Sequence, residues 1–172
     1  MTTKNHLLRF NVGFIVHEDI GYSKEFPLEF NELDIQPDMQ LNNVKGKVIF
    51  DRTPQGILAK VHLNAHTAAE CALCLDEYEQ ELDTQFTELF AFDERSVDDE
   101  GLIVPEEGVI DLTPLARDYL QLEMPIKTIC RPDCPGLDPE TGEKRTTRPS
   151  EEESQHIDPR LAILKKLLDE EE

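Results

Sequence analysis

The chain contains no tryptophan, and Phe, Trp and Tyr together make up only 6% of its 172 residues. A large aromatic core is therefore excluded, although 38% hydrophobic residues are enough for a lean one. Positive charge is also scarce. Seventeen Lys and Arg stand against 37 Asp and Glu, a formal charge of -20. Residues 136–172 hold 11 acids and 6 bases, so 26 acids and 11 bases remain in the first 135, and the excess is not confined to a tail. A field of this sign repels phosphate backbones, which argues against DNA as a partner and against a broad RNA-binding surface. Basic proteins are the easier partners, while solubility alone also accounts for high surface charge.

Long hydrophobic runs are missing too. None approaches the roughly 20 residues a spanning helix needs. Met1 to Phe10 lacks a signal-peptide core. These absences predict a cytoplasmic protein with no membrane contact. In that reducing compartment, metal ligation or free thiols are favoured over structural disulfides. Prolines and glycines are scattered without a period, which excludes a simple repeat. There is no Gly-rich phosphate loop, no Gly-x-Ser-x-Gly elbow and no His-Glu-x-x-His helix. The expectation is a protein that is not an enzyme.

What is present reads mainly as strand. Leu7 to Val16 is an apolar stretch interrupted by Gly13, suited to a strand with a bulge. Ile20 to Met39, with Pro27 and Pro37, reads as extended and irregular. A hairpin follows. Val44, Gly46, Val48 and Phe50 share one face, Asp51 to Gly56 supply the turn, and Ile57, Ala59, Val61, Leu63 and Ala65 return with Lys60, His62, Asn64 and His66 opposite. Tyr78, Leu82, Phe86, Phe90 and Phe92 suit a further strand; their spacing of four also fits a helix, but the aromatic and Thr content favours the strand. Thr113-Pro114 reads as a capped helix start, with Leu112, Leu115, Tyr119 and Leu122 as the buried stripe and Pro125 as the stop.

The expected fold class is α+β: a mostly antiparallel sheet with one or two packed helices and a C-terminal amphipathic helix. The expected organisation is a domain over 1–139, a flexible polar linker over 140–156 and a helix over 157–172, with Leu161, Ile163, Leu164, Leu167 and Leu168 on its apolar face.

Four cysteines form two pairs, Cys71/Cys74 and Cys130/Cys134. Pairs spaced this closely let a tight turn present two thiolates to one Zn²⁺, and four sulfur ligands suit its tetrahedral preference. The 55 residues between the pairs exceed the spacing of compact zinc fingers, so the fold would have to bring the two turns together. Inert buried thiols and a redox couple remain open alternatives. His62 and His66 share a strand face just upstream and are reserve ligand candidates.

Taken in order, these pieces resemble the YceD-type family, the large ribosomal RNA subunit accumulation proteins. The resemblance rests on Ala69-Glu70-Cys71-Ala72-Leu73-Cys74-Leu75, Ile110-Asp111-Leu112 and Leu120-Gln121-Leu122-Glu123-Met124-Pro125. It continues through Cys130-Arg131-Pro132-Asp133-Cys134-Pro135-Gly136-Leu137 to Asp158-Pro159-Arg160-Leu161 and Leu164-Lys165-Lys166-Leu167-Leu168. Two departures stand out: Leu73 replaces a basic residue often found there, and no further cysteine pair follows Leu137. The resemblance implies a non-enzymatic factor supporting synthesis, processing or stability of large-subunit rRNA. Acidic charge favours a basic ribosomal protein or a large-subunit assembly intermediate as its partner, and leaves direct RNA contact open. The rival is a zinc- or thiol-based adaptor or redox sensor unrelated to ribosomes.

Overall fold

A computed structural model describes residues 8–93, 101–138 and 140–147. The elements in order are β1 (Arg9–Asn11), α1 (Gly13–Val16), β2 (Ser23–Ile35), β3 (Met39–Arg52), β4 (Gly56–Glu70), β5 (Glu77–Ala91), β6 (Val109–Asp111) and α2 (Thr113–Glu123). The fold is α+β. Strands β2-β3-β4-β5 form one sheet in sequence order, and β1-β6 form a two-stranded ribbon. Strand β1 pairs with β6, β2 with β3 and β3 with β4, each antiparallel. The chain separates into two compact units: Met1–Ala69 with Glu77–Thr128, and Glu70–Asp76 with Ile129–Glu172. The expected C-terminal helix over 157–172, and the end of the expected linker over 140–156, lie outside the described residues.

The first unit carries the sheet and its core. Along β4, buried Ile57, Ala59, Val61, Leu63 and Ala65 alternate with more accessible Lys60, His62, Asn64 and His66. Period-two patterning fixes which face is dry, because a slip of one residue would turn every apolar side chain to water. Val48 pairs with Val61 and Phe50 with Ala59 across β3–β4. Gly46 is required on β3, since a Cβ there would stand 2.1 Å from the His62 carbonyl oxygen. Phe10 of β1 meets Phe26 at 5.3 Å and Phe50 at 5.4 Å between ring centres. This aromatic trio fastens the ribbon to the sheet.

Several expectations change against this fold. Residues 20–39 are not irregular: Ser23–Ile35 is a 13-residue strand paired along β3. Pro27 is tolerated because β2 is the edge of the sheet, where a missing N–H costs no ladder bond. The apolar run around Gly13 is not one bulged strand; it breaks into β1 and a single helical turn, α1. Both Val12 N–H and Gly13 N–H bond the Gly108 carbonyl, which turns the chain away from strand geometry.

Strand β5 occupies Glu77–Ala91, resolving the strand-or-helix ambiguity, with Leu82, Thr84, Phe86 and Phe90 buried. Helix α2 begins at Thr113 and ends before Pro125 as expected. Its cap differs: Thr113 makes no side-chain cap, and its N–H bonds Asp111 Oδ1 at 2.9 Å. The buried stripe also rotates, to Leu112, Ala116 and Leu120, leaving Leu122 79% exposed. Small Ala116 lets the helix approach closely, and Tyr119 stacks on Phe86 of β5 at 4.3 Å with rings 2° from parallel.

Candidate metal centre

All four cysteines belong to the second unit. Strand β4 ends at Glu70, and the chain turns at once through Cys71-Ala72-Leu73-Cys74. Leu75 N–H bonds the Cys71 carbonyl and Cys71 N–H bonds the Asp76 carbonyl, both at 2.9 Å, closing the first knuckle. The second knuckle closes through Cys134 N–H to the Arg131 carbonyl at 3.0 Å. A bond from Leu137 N–H to the Leu73 carbonyl, 2.9 Å, joins the two. Gly136 makes this approach possible. Its φ is +76°, and a Cβ there would press within 3.1 Å of the Leu73 carbonyl oxygen.

Residues 137–145 brace the second knuckle. Leu137 bridges Lys144 antiparallel, and Arg145 N–H returns to the Gly136 carbonyl at 3.0 Å. Asp138 Oδ1 accepts the N–H groups of Glu140 and Thr141 at 2.9 and 3.1 Å. Those backbone donors, aided by Arg145, hold the Asp138 carboxyl below its ordinary range. Lys144 pairs with Asp76 across the two segments. Residues 140–147, the start of the segment expected as a linker, therefore include part of a hydrogen-bonded hairpin.

The ligand atoms of Cys71, Cys74, Cys130 and Cys134 all lie within 4.8 Å of one another. Cys71 Sγ stands 3.8 Å from Cys134 Sγ, and Cys74 Sγ stands 3.8 Å from Cys130 Sγ. Cys71, Cys74 and Cys134 are buried, and Cys130 is half-buried. The sulfurs are inequivalent. Backbone N–H donation from Cys130, outweighing burial and joined by Cys74 and Leu73, lowers Cys71 to about 6. Cys74 receives the Asp76 N–H, yet burial and the three neighbouring thiols push it up to about 12. Burial likewise raises Cys130, with Cys134 and Cys71 adding to it. One thiol ionises readily and its negative charge then opposes the others. Four thiols held this close can bind a metal ion, because a cation removes that mutual opposition.

The geometry brings together all four predicted ligands. It does not recruit the histidines: no imidazole belongs to the cluster among the described residues, and His62 Nε2 faces Asp83 Oδ2 at 3.2 Å. Sequence reasoning missed Asp76 and Lys144 as supports, whereas Gly136, two residues past Cys134, stood in the motif of the second pair.

The profile of the family described as "Large ribosomal RNA subunit accumulation protein YceD" matches residues 59–168. The chain belongs to the YceD family. That match includes most of β4, both knuckles and α2. An uncharacterized protein of Mycobacterium tuberculosis is 39% identical over 165 residues, covering 90% of this chain and 74% of the relative. The uncharacterized protein YlbN of Bacillus subtilis is 28% identical over 163 residues, covering 91% of this chain and 95% of the relative. No solved structure matches. The family's name suggests a ribosome-related role for its YceD members. No helix among the described residues is long and apolar enough to cross a membrane.

Proposed function

We propose that this YceD-family protein is a non-enzymatic, cytoplasmic ribosome-biogenesis factor that supports synthesis, processing or stability of large-subunit rRNA. It acts by binding a basic ribosomal protein or an assembly intermediate of the large subunit. Membership of the family carries the reading, and surface charge selects the mode. The charge is -20 overall, and two lysines on the sheet are already engaged. Lys47 pairs with Glu25 at 3.4 Å and Lys60 with Asp51 at 2.8 Å. An RNA backbone would have to displace these acids, whereas Lys- and Arg-rich protein segments find complementary charge. Depletion followed by rRNA profiling should give a selective large-subunit deficit. A ribosomal protein should co-purify and survive RNase treatment; co-purification lost to RNase and lacking any ribosomal protein sinks this mode.

The thiol cluster holds one structural Zn²⁺ in the same reading. Four sulfurs about 2.3 Å from a tetrahedral zinc stand about 3.8 Å apart along its edges, the separation of both close pairs here. Metal analysis of untagged protein should find one zinc per chain and four protected thiols. A second reading, a thiol-based redox sensor, draws support from the easily ionised Cys71. It requires oxidation to change the protein's partners while rRNA stays normal.

A further inference from the structure

Among the described residues, the unit formed by Glu70–Asp76 and Ile129 onward shows no ordinary core. Among its described residues, the only buried apolar side chains are Cys71, Cys74 and Cys134. Leu73 and Leu137 are half-buried, and Leu75 is 57% exposed. By contrast, the sheet-bearing unit buries Phe50, Ile57, Leu63, Leu82, Ile110 and Leu120 together. Ordering a chain costs conformational entropy, and small units without enough apolar burial need another source of stability.

Among the described residues of the small unit, nothing else supplies it. The Asp76–Lys144 pair is roughly half-exposed on both sides, so solvent screens it. The backbone bonds of the knuckles replace bonds to water and contribute modestly. One feature acts against folding: the left-handed backbone of Leu75, φ +59°. A cation bonded to the four clustered sulfurs outweighs it, because metal binding free energy in such a unit is folding free energy.

We propose that zinc is the core of this unit: residues 70–76 and 129–147 fold as the ion binds and open as it leaves, while the sheet-bearing unit stays folded. The inference rests on the zinc reading above and deepens it from a bound ion to a switch. The exposed side chains of the two knuckles, Leu75, Arg131 and Asp133, are then held in place only in loaded protein.

Peptide-resolved hydrogen exchange on the full chain tests this, comparing zinc-loaded, chelator-stripped and zinc-restored samples under reducing conditions, with metal content measured in each. Stripping should accelerate exchange at Leu75, Cys134, Leu137 and Arg145 by on the order of 100-fold or more. Exchange in the β3–β4 segment around Val48 and Val61 should be unchanged, and zinc should restore the rest. Cys134→Ser should leave the small unit unprotected even in excess zinc, whereas Lys144→Ala should not. Protection of Leu75 and Leu137 surviving in metal-free protein overturns the inference but not the zinc site. Failure to retain zinc appears in the metal content and overturns both.

Discussion

Leu75 holds a backbone conformation that L side chains avoid, with φ +59°, and still exposes 57% of its surface. Packing does not explain why a leucine stands there. Glycine would relieve the backbone, so Leu75→Gly should stabilise the loaded knuckle by about 1 kcal/mol. Slower loss of zinc to a competing chelator would show this; faster loss would mean the side chain packs more than its exposure suggests.

Tyr119 makes a different residue-scale case. Its hydroxyl donates to Glu88 Oε1 at 2.6 Å. That bond, then burial and the Glu88 charge, raise its ionisation above the ordinary tyrosine value. The neutral phenol is favoured in the folded state, so its contribution is complete below pH about 10 and is lost as pH rises through the raised folded value. Tyr119→Phe should cost about 1 kcal/mol at neutral pH. Thermal unfolding of the two proteins should converge at strongly alkaline pH.

At the scale of elements, long strands need short, definite boundaries. Asp111 ends β6, caps α2 through the Thr113 N–H, and lies 3.7 Å from Arg9 on β1. Losing one cap acceptor at a helix start costs about 1 kcal/mol, so Asp111→Ala should lower the unfolding midpoint measurably in denaturant titration. Phe50 has a larger role, because it touches both Phe10 of the ribbon and Phe26 of the edge strand. It is fully buried. Phe50→Ala should cost about 3–5 kcal/mol; a smaller loss would mean that the ribbon closes over the cavity.

For the whole molecule, the dominant quantity is the charge of -20. Association with a basic partner should therefore weaken on the order of tenfold or more between low and high salt, chiefly through slower encounter. Titration of a purified partner at several ionic strengths measures it. Salt-independent affinity would point to an apolar contact instead.

The hairpin of β3 and β4 was legible from alternation alone, because a sheet with one wet face imposes period two on its residues, whereas β5 was told from a helix by its aromatic and Thr content. The four ligands were legible as types and spacings. Strand β2 was not, since its proline is tolerated only at an edge, and edge position belongs to the assembled sheet. Nor was the rotated face of α2, which follows from Ala116 permitting close approach. Convergence of Cys71 and Cys74 on Cys130 and Cys134 is likewise a property of the folded chain. Local pattern fixes how each segment prefers to lie; only contacts between distant segments decide which edges are free and which sulfurs meet.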